Sequence, residues 1–146
     1  MTLSRFHFWF GVFGIVVFLL TGQYMEIVHQ HLENMADKPR MYFRSAHMYL
    51  LLCSLLNLLL GVYYKPSLKV YVRYLQYLIS LLLVIAWSAY LAGFFLEYAY
   101  AMDPEKGFLR PFTGNASYLL MAVGVLLCFQ AFFDSDEPEN VSITEA

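Results

Sequence analysis

Charged side chains are scarce in this sequence of 146 residues. Only 14% of the residues are Asp, Glu, Lys or Arg, whereas 60% are hydrophobic, and the net charge is −2. A soluble domain of this composition would expose too much apolar surface to water, so the sequence predicts a protein of the lipid bilayer. The basic residues are scattered singly along the chain, which leaves no positive surface of the kind that binds nucleic acid.

The sequence has only two cysteines and lacks the common metal-binding and haem-attachment motifs. The two cysteines, Cys53 and Cys128, lie inside apolar runs, so neither a disulfide framework nor a Cys-x-x-Cys zinc site is indicated. We expect both thiols to be buried as small hydrophobic side chains. The motifs HExxH and CxxCH are missing, and no serine, cysteine or carboxylate pair stands within reach of a base, which argues against an enzyme.

Long hydrophobic runs, by contrast, are abundant. Four of them reach the roughly 20 residues that a helix needs to cross a hydrocarbon core, at about residues 6–25, 42–62, 71–95 and 116–133. The connections hold nearly all the charge and contain Pro, Gly or Asn, which stop or restart helices. The sequence therefore predicts an all-α integral membrane protein, in which residues 1–133 form an antiparallel four-helix transmembrane bundle. Residues 134–146 form an acidic tail that we expect to be mobile.

Four spans place both termini on one side of the membrane, here named side A, and the 26–41 and 96–115 connections on the other, side B. Basic residues are shared equally between the two sides, so the positive-inside rule does not decide the orientation. Lys65, Lys69 and Arg73 crowd one short connection, which favours a cytoplasmic side A. The chain resembles small four-span bacterial membrane proteins in its general pattern, so we expect a multi-pass protein of a bacterial inner membrane.

Each predicted span carries one face of small or polar residues when its positions are plotted at 100° per residue. In the first span these residues are His7, Gly11, Gly14, Phe18, Thr21, Gly22, Met25 and His29. In the second span they are Arg44, His47, Ser54, Asn57 and Gly61. In the third span they are Arg73, Gln76, Tyr77, Ser80, Trp87 and Ser88, and in the fourth Ser117, Met121, Gly124 and Cys128. We expect all four faces to point into the bundle, because small residues and hydroxyl groups hold membrane helices together.

Two histidines of these faces suggest a cofactor. If the first helix continues to about residue 32, His29 and His47 both face the interior in the same half of the bilayer, near side B. Two imidazoles on facing helices are what a b-type haem with two histidine ligands requires, and the neighbouring glycines make room for the porphyrin. Arg44 stands beside them and is suited to a haem propionate, a quinone carbonyl or a lipid phosphate.

The same corner is also compatible with a metal ion. Neutral imidazole is a common metal ligand, and the thioethers of Met25 and Met48 would join His29 and His47 as ligands for Cu(I). Neither the haem nor the copper pattern has a fixed ligand spacing, and methionine also fills irregular gaps between helices.

Three function classes follow from the sequence. The first is a non-enzymatic accessory, scaffold or assembly factor, whose helix faces pack against each other and against a partner membrane subunit. The second is a redox membrane module that holds a b haem or a quinone between the first two helices. The third is a copper-binding or other metal-binding membrane protein. Because catalytic machinery is hard to find, the sequence favours the first class.

Overall fold

A computed structural model of the chain describes residues 2–33, 35–65, 67, 69–102 and 110–134, except the side chains of His31 and Asp134. The described residues form helices α1 (Leu3–His29), α2 (Asp37–Tyr63), α3 (Val70–Ala101) and α4 (Pro111–Asp134), with a short 3₁₀ helix (Gln30–Leu32) after α1. Each of α1 to α4 is long and apolar enough to cross a membrane. The prediction of an all-α protein with four such helices is therefore confirmed. Asp134, the first residue of the predicted tail, is the last residue of α4, and residues 135–146 lie outside the described residues.

The helix ends follow from local chemistry. Thr2 precedes α1, and its side-chain oxygen accepts a hydrogen bond from the backbone N–H of Arg5 at 3.4 Å. The helix ends at His29, because the next residue, Gln30, has a left-handed φ of 46° that cannot continue a right-handed α-helix. Pro111 is the first residue of α4, where its missing N–H is not needed and its fixed φ favours the helix.

Helices α1 and α2 pack closely because α1 has glycines where they meet. A Cβ atom added at Gly11 would lie only 2.7 Å from the backbone nitrogen of Leu58. The four buried residues of α1, which are His7, Gly11, Gly14 and Thr21, all belong to the face that the sequence predicted to point inward. For α1 that prediction is confirmed.

Helix α3 is the centre of the apolar core. In its most apolar 18-residue window 44% of the residues are buried, compared with 11% in the corresponding window of α4. The Trp87 indole N–H donates to the Ser54 hydroxyl of α2 at 3.2 Å, and the Tyr49 and Tyr90 rings stack with centroids 4.9 Å apart. These contacts tie α3 to α2 over the middle of both helices.

The predicted inward face of α4 points outward at three of its four residues. The fourth, Ser117, is half-buried, and its hydroxyl lies 3.1 Å from that of Tyr90 on α3. Gly124 and Cys128 are exposed, Met121 is 69% exposed, and no atom of the described residues lies within 4 Å of a Cβ added at Gly124. Helix α4 instead buries Thr113, Ala116, Val123 and Gln130. Thr113 donates to Glu97 on α3, and Gln130 accepts a hydrogen bond from Tyr64, just after α2. The expectation that both cysteines are buried holds for Cys53 and is wrong for Cys128.

The polar faces of α2 and α3 are inward only in part. Ser54 and Asn57 are buried as predicted, and so are Gln76, Ser80 and Trp87. The residues of these faces that the structure exposes are Arg44, Arg73, Tyr77 and Ser88. Long cationic and phenolic side chains reach water from a helix end, and the Ser88 hydroxyl is satisfied by the carbonyl of Val84 on its own helix, so none of them needs an interior position.

Candidate functional site

A buried polar cluster joins three helices near side A. His7 of α1 is fully buried, with its Nδ1 atom 2.7 Å from Oδ1 of Asn57 on α2 and its Nε2 atom 2.7 Å from Oγ of Ser80 on α3. Together with Gln76, these residues are called the His7 cluster. They come from three different faces that the sequence predicted to point inward, and the structure brings them to one place.

The hydrogen-bond directions in the His7 cluster follow from the acceptors around it. The Asn57 amide nitrogen donates to the carbonyl of Cys53 at 2.8 Å, so the amide oxygen faces His7 and Nδ1 must donate to it. The Ser80 hydroxyl has one proton and two acceptors at 2.7 Å, the Gln76 carbonyl and His7 Nε2. A neutral His7 therefore requires that Ser80 donates to the imidazole. Every side chain of the cluster is satisfied within the bundle.

Gln76 connects the His7 cluster to a cavity at the side A end of the helices. Its amide nitrogen donates to the Lys65 carbonyl at 2.9 Å, and its side chain is almost fully buried at the cavity floor. The cavity has a volume of about 570 Å³ and is lined by the start of α1, the residues after α2 and the first turns of α3. Lys65 and Arg73 stand on its rim and are both exposed.

A second polar cluster lies at the side B end and is built around Glu97. This carboxylate is fully buried on α3, and its Oε1 atom accepts the backbone N–H groups of Phe112 at 2.9 Å and Thr113 at 2.7 Å. Its Oε2 atom accepts from the Thr113 hydroxyl at 2.7 Å and from Nε of Arg110 at 3.2 Å. Glu97 thus caps the first turn of α4 and forms an ion pair with the residue that precedes it.

Arg110 extends this cluster to α2. Its guanidinium lies 4.5 Å from the centroid of the Tyr42 ring, and its Nη2 atom donates to the Tyr42 carbonyl at 3.4 Å. Sequence reasoning assigned no role to either Glu97 or Arg110. The sequence did contain a signal for this cluster, since Glu97 stands at the end of an apolar run. An ionisable group at such a position needs a partner.

His29 lies among aromatic rings rather than polar groups. Its ring centroid is 5.0 Å from that of Phe43, 5.4 Å from that of Tyr24 and 5.9 Å from that of Tyr98. The side chain is half-buried beside a shallow cavity of about 440 Å³ that Met35 and Met102 also line. His29 is thus accessible, but none of these described neighbours is a histidine or a cysteine that would bind a metal ion together with it.

His47 has a separate set of neighbours. Its Nδ1 atom is 2.9 Å from the Thr21 hydroxyl, and its ring stacks on Phe18 with centroids 4.0 Å apart. Thr21 precedes His29 by eight residues on α1, which corresponds to about 12 Å along a helix. Two ligands of one haem iron need ring nitrogens about 4 Å apart. The two imidazoles share none of these neighbours, so this geometry does not support the haem site, which stays a prediction.

The remaining predicted ligands are dispersed around the same corner. Arg44 is exposed and lines a small cavity with Met25 and Glu26, whereas Met48 is 59% exposed on the outer surface of α2. Within the described parts of the chain, no group of three or more His, Cys, Asp and Glu side chains is placed to hold a metal ion. The copper site therefore also stays a prediction.

Comparisons of the chain with protein-family models, with curated proteins and with solved structures find no match. The fold and the contacts above are therefore the basis for any functional assignment.

Proposed function

We propose that the protein is a non-enzymatic accessory or scaffold subunit that crosses a lipid bilayer four times as an antiparallel bundle. The contacts between α1 and α2 support the opposite directions of these helices. Ser4 near the start of α1 donates to the carbonyl of Gly61 near the end of α2 at 2.7 Å, whereas Thr21 contacts His47 in the first half of α2. The bacterial inner membrane stays a prediction from the sequence pattern.

The observation that carries the scaffold role is the outward face of α4, here named the α4 outer face and formed by Met121, Gly124, Val125 and Cys128. These four residues are exposed and fall on one side of the helix. Glycine costs about 1 kcal/mol relative to alanine in a helix interior, so a mid-helix glycine is expected to have a packing reason. Within the described chain, nothing packs on Gly124.

Two other helix glycines have such a packing reason, because a neighbouring helix approaches them closely. A Cβ atom added at Gly11 or at Gly93 would lie 2.7 Å from an atom of a neighbouring helix. Two glycines of α4 lack such a neighbour within the described chain, Gly114 in the first turn and Gly124 at the middle of the helix. Gly124 therefore offers the same close approach to a helix outside the described chain. Membrane helices associate through such small residues, so we assign the α4 outer face to a transmembrane helix of a partner membrane protein.

The chemistry of the α4 outer face agrees with a partner inside the bilayer. The four residues that form it carry no charge, and Tyr118, Phe129 and Phe132 beside them are 54% to 73% exposed. A soluble partner would meet a surface without charged groups to orient it, whereas an apolar helix gains van der Waals contact along the whole face.

Site-specific crosslinking in native membranes tests this proposal. A photoreactive amino acid at Met121 is expected to yield one discrete protein adduct, whose mass differs from twice the mass of the chain. The same residue at Val16, which is 48% exposed on α1, should give no discrete protein adduct. A Gly124→Leu change should abolish the Met121 adduct, because the leucine occupies the space that the partner helix needs.

Two outcomes would overturn the assignment. Lipid adducts alone at Met121 would show that the α4 outer face meets only the bilayer. A product of twice the mass of the chain would place a second copy of the protein on this face, in which case the protein is a self-associating unit and not a subunit for a different partner.

A further inference from the structure

We propose that the side A cavity binds the headgroup of an anionic glycerophospholipid. The cavity volume of about 570 Å³ is within the range of small-molecule sites. It lies between α1, the end of α2 and α3, and it is lined by Ser4, Tyr64, Lys65, Arg73, Gln76 and Tyr77 among others. This inference goes beyond the scaffold role and uses a different part of the molecule.

The charge of the cavity has one sign. Among the described residues that line it, Lys65 and Arg73 are the charged ones, and both are cations. Within the described chain the Lys65 ammonium makes neither a hydrogen bond nor an ion pair. Arg73 donates one hydrogen bond, from Nη2 to the carbonyl of Ser67 at 3.3 Å, which orients the guanidinium and leaves its other N–H groups for a ligand. A phosphate group matches these donors in charge and geometry.

Neutral groups complete the polar part of the cavity. The Ser4 hydroxyl donates to the Gly61 carbonyl and retains its lone pairs, so it can accept a hydrogen bond from a glycerol hydroxyl. The Gln76 amide at the floor is already engaged at both ends, by Ser67 N–H at 3.5 Å and by the Lys65 carbonyl at 2.9 Å. The floor is therefore rigid and polar, and the rim supplies the charge.

The position of the cavity favours a lipid over a soluble anion. Its lining residues lie at the start of α1, just past the end of α2 and in the first two turns of α3, which is the headgroup depth if the helices span a bilayer. A smaller cavity of about 160 Å³ shares Arg73 and Tyr77 with it on the outer side of α3. Beyond Tyr77, the exposed side chains of Leu78 and Leu81 continue along α3 and offer an apolar path for acyl chains.

Lipid titration of the purified full-length protein in a non-ionic detergent tests the proposal, with native mass spectrometry as the readout. Phosphatidylglycerol is expected to bind more tightly than phosphatidylcholine with the same acyl chains. The double change Lys65→Gln and Arg73→Gln should weaken phosphatidylglycerol binding by about 30-fold, or roughly fivefold per cation. Both side chains are exposed, so the double variant should keep the unfolding temperature of the parent.

Arg44→Gln is the matched control. Arg44 is also an exposed cation beside a cavity, at the other end of α2, but there Asp37 lies 3.7 Å from the neighbouring Arg40 and offsets the positive charge. This variant should bind phosphatidylglycerol as the parent does.

Equal binding of the two lipids, or unchanged binding by the double variant, would overturn the proposal. Competition by inorganic phosphate at equal concentration would assign the cavity to a soluble anion and would contradict the lipid assignment. Because this readout does not involve the α4 outer face, it can fail independently of the scaffold role.

Discussion

Replacing Glu97 by alanine is expected to lower the free energy of unfolding by about 3 to 5 kcal/mol, the cost of removing one partner of a buried ion pair. The change leaves Arg110 without its carboxylate and the N–H groups of Phe112 and Thr113 without an acceptor. Helix α4 would then begin with unsatisfied donors in a buried position. Thermal or denaturant unfolding in detergent measures the loss.

A conservative change at Glu97 separates the cap from the ion pair. In Glu97→Gln the amide oxygen can still accept both backbone N–H groups at the position of Oε1, but the amide NH₂ faces Arg110. The loss should therefore be smaller than in Glu97→Ala. Glu33→Ala, at an exposed site near the turn after α1, should leave stability unchanged. Equal stability of Glu97→Ala and Glu33→Ala would contradict the capping role.

Gly14→Leu is the second change with a large expected effect. We expect the free energy of unfolding to fall by about 3 kcal/mol, the upper end of the usual cost of overpacking, or the folded protein to be lost altogether. A side chain at Gly14 would collide with Ser54 of α2 and would lie about 3.0 Å from the Trp87 indole nitrogen of α3. Three helices meet at this point, so the leucine cannot be accommodated without separating them. Expression level and unfolding temperature in detergent report the effect.

Gly124→Leu is the matched control for Gly14→Leu, since it makes the same change in another span. No atom of the described chain lies within 4 Å of a Cβ at Gly124, so the isolated protein should retain its stability. Comparable damage from both leucines would mean that α4 packs differently from the arrangement described above. Harmless leucines at both positions would mean that α1 does not pack closely on α2.

The sequence predicted the four apolar helices because their length requirement is set by the bilayer and not by packing details. It also predicted the inward face of α1. His7, Gly11 and Gly14 lie on successive turns of one face, and neither a histidine nor a pair of close glycines gains anything from facing lipid. These features depend on one helix alone, so they can be seen without knowledge of its neighbours.

The sequence of α4 alone could not predict which of its faces points into the bundle. In a soluble protein the inward face of a helix is recognised by its hydrophobicity. Lipid is as apolar as a helix interface, so Met121 and Gly124 are compatible with either the bundle interior or the lipid. Within the described residues, α4 packs mainly against α3, so the side of α4 that is covered depends on how α3 is placed.

The polar clusters were predictable only in part. Asn57, Ser80 and Gln76 were assigned to inward faces, but their meeting at His7 depends on the relative depth of three helices, which spacing within each helix does not determine. The pairing of Glu97 with Arg110 depends on where α4 begins. His29 contacts Phe43 of α2, and His47 contacts Thr21 of α1. Because Thr21 and His29 are about two helical turns apart on α1, the two histidines have separate neighbours.

The most direct test of the account is the number and direction of the membrane crossings. Single cysteines introduced by Asn34→Cys and Ile143→Cys are labelled with a membrane-impermeant maleimide from each side of sealed vesicles. Native Cys53 is buried, and the unsubstituted chain serves as the control for native Cys128. Three helices separate positions 34 and 143, so we expect the two cysteines to be labelled from opposite sides of the membrane. Labelling of both from the same side would contradict the four-span antiparallel bundle.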